Sequence, residues 1–199
     1  MNQLASTAKV ISRVTNPCVL SVVVLSLMAY TESSNLWALF CWVSIILLFL
    51  VVLPLVYVCV RTSALRGRAK CIADSTAYLK QHPRDIWVLG VFSGLPCLLI
   101  LVFLEAPSFV ISTLVALLAT SLVIATFNAF YRVSYHLGAV TILLIMIALT
   151  WGQTFLVLLA TLPVIGWAKY RLREHTLVQL AMGIGLAVVV SGTILYLLD

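Results

Sequence analysis

The sequence predicts an all-α membrane protein, a polytopic helix bundle with about six to seven transmembrane helices, and three observations predict it. Of its 199 residues, 63% are hydrophobic and only 9% are charged, where a soluble domain carries about 25% charge to cover its surface. The apolar residues fall in blocks near or above the roughly 18 to 20 residues that cross about 30 Å of hydrocarbon. Strand-like alternation over ten-residue segments, the mark of a membrane barrel, is absent. A soluble globular enzyme, a disordered chain and a nucleic-acid module are thereby excluded.

Polar punctuation divides the chain into seven candidate spans. Pro17 to Tyr30 is the first and is short, so it borrows flanking residues or sits obliquely. Lys9 and Arg13 precede it as in a signal peptide, but no small-x-small cleavage site follows, and a retained helix is predicted. Leu36 to Val60 comes next, and Arg61 to Asp85 after it is the one substantial hydrophilic segment. Ile86 to Leu104, Phe109 to Phe130 and Val133 to Trp151 follow, then the second short span, Thr154 to Ala168, and finally Thr176 to Leu198. Several connections are only a few residues long, which makes consecutive helices antiparallel neighbours. Nothing repeats with a fixed period and no linker separates a second unit, so residues 1–199 form one integral membrane domain. The cysteines, at 18, 41, 59, 71 and 97, lack metal-site spacing and read as small buried hydrophobes.

Seven spans assign every loop to one of two sides, and the positive charges then sort without exception. Lys9, Arg13, Arg61, Arg66, Arg68, Lys70, Lys80, Arg84, Arg132, Lys169, Arg171 and Arg173 share one side, while Glu32, Glu105 and Asp199 lie on the other. Basic residues accumulate on the cytoplasmic side, which predicts the N-terminus inside and the C-terminus outside a bacterial or archaeal cell membrane. The net charge of +6 therefore reports orientation and attraction to anionic membrane lipids, and no nucleic-acid partner is expected. Arg66, Arg68 and Lys70 read as membrane anchors, His82 as a solvated loop residue, and Trp37, Tyr57, Tyr131, Tyr135 and Trp167 as an interfacial belt.

His82, His136 and His175 all lie on the basic side. Arg132, Ser134 and His136 open the fifth span; Lys169, Arg171, Arg173 and His175 precede the seventh. Cations, a hydroxyl and two imidazoles at helix starts against a membrane surface suit capture of a phosphate group. Cations and helix N-terminal amides neutralise its oxygens, one imidazole attacks phosphorus and another protonates the leaving oxygen. That chemistry needs no metal or other cofactor, and no carboxylate cluster is available to hold one.

At these residues the chain resembles the type 2 phosphatidic acid phosphatase family of integral-membrane lipid phosphate phosphatases, over residues 78–190. The family's Pro-Ser-Gly-His motif corresponds to Val133-Ser134-Tyr135-His136. Its motif of Ser-Arg, five residues, His, three residues, Asp and a following Gly corresponds to Ala168-Lys169, His175, Gln179 and Gly183. Its Lys, six residues, Arg-Pro motif is matched only loosely by Lys80-Gln81-His82-Pro83-Arg84. The resemblance implies His175 as the nucleophile that becomes a phosphohistidine and His136 as the general acid. It implies Lys169, Arg84 and Lys80 as phosphate clamps and Ser134 as a hydrogen-bond donor, with Arg132 and Arg171 adding charge. Gln179 stands where the family has an Asp: it can accept a hydrogen bond from the ring but cannot stabilise an imidazolium by charge, so slower chemistry or help from Glu174 is expected. Lys169 in place of Arg loses the bidentate fork.

The expected function is hydrolysis of a lipid phosphate or diphosphate, such as phosphatidate, phosphatidylglycerophosphate or an isoprenyl diphosphate. The alternative is a weak or silent relative that binds anionic headgroups or a partner protein through the same face. A small transporter fits less well, since no span carries an ionisable residue well inside its apolar run.

Overall fold

A computed structural model describes residues 3–66 and 82–198, and among them every regular element is a helix. In chain order these are α1 (Gln3–Val14), α2 (Pro17–Glu32), α3 (Leu36–Leu47), α4 (Leu53–Arg66), α5 (Pro83–Leu89), α6 (Leu95–Phe103), α7 (Ser108–Phe127), α8 (Tyr135–Trp151), α9 (Leu162–Arg171) and α10 (Leu177–Leu198). Four runs are long and apolar enough to cross a membrane: Leu36–Arg61, Asp85–Phe103, Ser108–Phe127 and Leu177–Ile194. A fifth exists if α1 and α2, bent by 44° at Thr15 and Asn16, count as one span. The all-α membrane bundle is thus the one the composition predicts.

Local chemistry accounts for the helix starts. Asn16 accepts the Cys18 N–H at 2.9 Å and is followed by Pro17, whose missing N–H costs nothing in a first turn. Asn35 accepts the Trp37 N–H at 2.9 Å in the same way. Two helices, α6 and α9, instead stop at an extra-helical residue with its backbone bonds wrapped back. Glu105 at φ 52° and Arg173 at φ 55° both take the left-handed conformation that ends a helix.

The spans α3–α4 and α5–α6 each run through a π turn, Leu48–Val52 and Gly90–Gly94. Both π turns end two residues before a proline, Pro54 and Pro96, which have no N–H to donate and would crowd the carbonyl of the preceding turn. The widened turn makes room: Leu53 N–H closes onto Leu48 O and Leu95 N–H onto Gly90 O, each five residues back. That leaves the Phe49 carbonyl without a donor in its own helix, and Ser93 Oγ from the other π turn donates to it.

The sixth expected span takes another form. Thr154 to Ala168 falls on a 3₁₀ helix, Gln153–Thr161, followed by α9. Pro163 has no N–H to bond Leu159 O, and the α-helix begins afresh at Leu162 with that proline in its first turn. The 3₁₀ rise of about 2.0 Å per residue compensates by reaching further per residue than an α-helix does. Gly152, at φ 109°, turns the chain so that this stretch packs back along α8.

The interior is built from α2, α7, α8 and α10, with Leu25, Met28, Leu114, Ile142 and Ala187 fully or almost fully buried. A second apolar cluster, Leu137, Val140, Leu162, Ile165 and Leu180, joins α8, α9 and α10 beneath the basic end. Cys97 is buried, but Cys18 is exposed and Cys59 is disulfide-bonded, so neither of the latter is the small buried hydrophobe expected.

Candidate functional site

Two helix starts and one helix end converge on the basic side. Ser134 N–H donates to Gln179 O at 3.1 Å, which ties the entrance of α8 to the first turn of α10. The approach is close because of a glycine: a Cβ on Gly183 would lie 2.5 Å from the Ser134 carbonyl oxygen, and one on Gly138 would lie 3.3 Å from the Gly183 oxygen. Small residues at helix crossings are the usual means of bringing backbones together in lipid. The packing role of Gly183 is therefore plain.

From α1 the chain adds a third component. Its Ala8 is buried and Ile11 half-buried, and this face packs along α9, while Lys9, Val10, Arg13 and Val14 are exposed. Thr15 at its end meets the His136 ring, Oγ1 to Nε2 at 3.0 Å. Lys9 and Arg13 thus share an end of the bundle with Arg132, Lys169, Arg171 and Arg173. Gly90 packs on Leu122 and Gly94 on Leu118, an antiparallel register that carries the start of α5, and Arg84 with it, to that same end. Lys80 lies outside the described residues. At the opposite end, Trp42 Nε1 donates to Leu104 O at 3.2 Å beside the turn that carries Glu105.

The turn between α9 and α10 is where the side chains gather. Glu174 N–H reaches back to Lys169 O at 3.1 Å and Arg173 N–H to Tyr170 O at 2.9 Å, with Arg173 left-handed between them. This wrapped ending usually carries an apolar contact between the residues that become neighbours. Here an ion pair takes its place, Lys169 Nζ to Glu174 Oε2 at 3.1 Å, with the lysine side chain only 8% exposed. A lysine that deep requires a partner, so the charge expected to clamp phosphate is turned to Glu174.

Gln179 has a double role. Its Oε1 accepts the Thr176 N–H at 3.1 Å while Thr176 Oγ1 accepts the Gln179 N–H at 3.4 Å, a reciprocal capping box at the start of α10. The same Oε1 lies 3.3 Å from His175 Nδ1. Because that atom already accepts a backbone N–H it is the carbonyl oxygen, so His175 Nδ1 must carry the hydrogen. The neutral ring then has its lone pair on Nε2.

An open cavity of about 420 Å³ lies over this turn, lined by Tyr170, Arg171, Arg173, Glu174, His175, Thr176 and Gln179. Three of the predicted site residues, His175, Gln179 and Arg171, line it; His136, Ser134, Lys169 and Arg132 do not. Ser134 is fully buried and its Oγ accepts the Leu137 N–H at 3.4 Å as the cap of α8. Arg132 is exposed just before it, in a turn held by Asn128 Oδ1 accepting the Val133 N–H at 2.6 Å. His82, also exposed, precedes Pro83 at the start of α5.

Sequence reasoning passes over Tyr170, Thr176 and Thr15. For Thr176 a signal was present, since Thr-x-x-Gln before an apolar run spells a capping box; for the other two none was. No protein-family model, curated protein or solved structure matches the chain.

Proposed function

We propose that the chain is a membrane-embedded phosphatase acting on a lipid phosphate or diphosphate through a phosphohistidine at His175. The observation that carries this reading is the contact of Gln179 Oε1 with His175 Nδ1 at 3.3 Å. Gln179 Oε1 holds the hydrogen on Nδ1, leaving the Nε2 lone pair in a ring that lines a cavity with two arginines. In the reaction Nε2 attacks phosphorus and the bond from phosphorus to the lipid oxygen breaks. His136 delivers a proton to that oxygen, and water then cleaves the phosphohistidine to free phosphate. Arg171 and Arg173 offset charge on the phosphoryl oxygens. Acyl or isoprenyl tails remain among the helices, with the headgroup at the basic end.

His175→Ala abolishes phosphate release from micellar phosphatidate, phosphatidylglycerophosphate and isoprenyl diphosphate while the thermal unfolding midpoint stays near wild type. Unchanged turnover would remove His175 from the reaction.

A second reading, binding of anionic headgroups without turnover, is favoured by the pairing of Lys169 with Glu174 and the use of Ser134 as a cap. Gln179→Glu separates the two, since Glu retains the capping box and adds the missing negative charge. Turnover rises in an enzyme with a weakened site, whereas a pure binder releases no phosphate in either form.

In the orientation we propose, the basic end faces the cytoplasm of a bacterial or archaeal cell. A cysteine replacing the exposed Phe130, in a chain without other reactive thiols, reacts with an impermeant reagent only from that side. Reaction from outside alone reverses the assignment.

A further inference from the structure

We infer that α1 is an interfacial helix whose outward face rests on the anionic lipid surface of the membrane that holds the chain. Its inner face is already occupied: Ala8 is fully buried, Ala5, Ile11 and Ser12 are half-buried, and the helix packs along α9. The outer face divides into two stripes. Leu4, Val10 and Val14 are each more than half exposed, and at 3.6 residues per turn they fall with Thr7 inside one arc of about 120°. Thr7 Oγ1 donates to Gln3 O at 3.1 Å, so its hydroxyl is satisfied within the helix. Lys9 and Arg13, four residues apart and both exposed, flank that arc on one side.

Charge, depth and direction point to the same occupant. Within α1 there are two cations and no carboxylate, and like charges four residues apart repel along a helix, a repulsion that an anionic surface offsets. The depth comes from α9, which exposes Trp167 and Tyr170, aromatic side chains of the kind that sit at headgroup level. Packed along α9, α1 shares that level. Joining α1 to α2 as one crossing would set the exposed Lys9 and Arg13 in hydrocarbon, which is costly, whereas the 44° bend turns α1 off the axis of α2. An apolar stripe beside a cationic one suits a helix in the interface, with aliphatic side chains reaching the acyl boundary and cations meeting lipid phosphates. No α1 residue lines the cavity over the α9–α10 turn, so this is a second lipid surface, independent of any turnover at His175.

A nitroxide on Val10→Cys tests it, in the full chain without other reactive thiols, reconstituted into vesicles of phosphatidylcholine with or without phosphatidylglycerol. Collisions with a neutral, water-confined nickel chelate fall about fivefold when phosphatidylglycerol is present, the factor that one basic residue near an anionic surface supplies. Lys9→Gln together with Arg13→Gln, both at exposed positions, erases the difference between the two lipids. Collisions with oxygen, which concentrates in the hydrocarbon, stay below those of a nitroxide on Leu99→Cys, at an outward-facing position of α6. Equal chelate access in the two lipids, oxygen access as great as at position 99, or access to neither reagent would overturn the inference. The second of these results makes α1 part of a crossing, and the third places protein over its outer face.

Discussion

The span Leu36–Arg61 and the helix Ser108–Phe127 both qualify as membrane crossings, yet 11% of the apolar window of the first is buried against 44% of the second. The less buried span is also the more apolar of the two. A soluble protein would show the reverse. In lipid, leucine gains little by moving from acyl chains into protein, so helices come together through small and weakly polar residues that pack closely. On α7 these are Thr113, Ala116 and Thr120, all almost fully buried, with Thr113 Oγ1 3.4 Å from Met28 Sδ on α2. On α3 the large apolar side chains Phe40 and Leu47 face outward. Within this protein the more apolar span lies at the rim, and the central helix interleaves threonine and alanine with buried Leu114, Leu117 and Ile124.

The sharpest way to break that comparison is to cut one leucine from each region. Leu114→Ala, at a site 1% exposed on α7, costs about 2–5 kcal/mol by opening a cavity. Leu47→Ala, 42% exposed on α3, stays within about 0.5 kcal/mol. Equal losses in detergent unfolding would mean that the two spans are not centre and rim. Next in size is the glycine crossing. Gly183→Ala forces a Cβ against the Ser134 backbone and costs about 1–3 kcal/mol. Gly185→Ala meets nothing within 4 Å and gains about 0.5–1 kcal/mol from the lower backbone freedom of alanine. The smallest effect belongs to the rim's own polar contact: Ser93→Ala costs about 0.6 kcal/mol, the usual worth of a hydrogen bond between membrane helices.

The fold class was legible because the solvent imposes it: scarce charge and apolar blocks of spanning length leave no other answer. The gathering of cations at one end was legible for a similar reason, through loop parity. Within the site, legibility stops where contacts depend on geometry that the chain does not spell. Thr15 and His136 are 121 residues apart, and no local pattern announces their bond. Lys169 and Glu174 meet because the chain turns through a left-handed Arg173, where glycine is the residue that would have signalled the turn. Gln179 was read for the charge it lacks, whereas its amide joins a capping box to the His175 ring. Pro54 and Pro96 were visible, but that each is answered by a π turn, and that the two turns meet, is a matter of packing.

Those two turns decide how the molecule can meet bilayers of different thickness. Membrane helices adjust to a thicker or thinner hydrocarbon layer by tilting or by shifting along one another. The bond from Ser93 to the Phe49 carbonyl closes at one axial offset only, because a slip of a single residue strands that carbonyl in hydrocarbon with Pro54 unable to replace the donor. Sliding of this pair of spans therefore breaks the Ser93 bond and is disfavoured by its worth. Tilting of the two spans together leaves that bond intact and is the adjustment it favours.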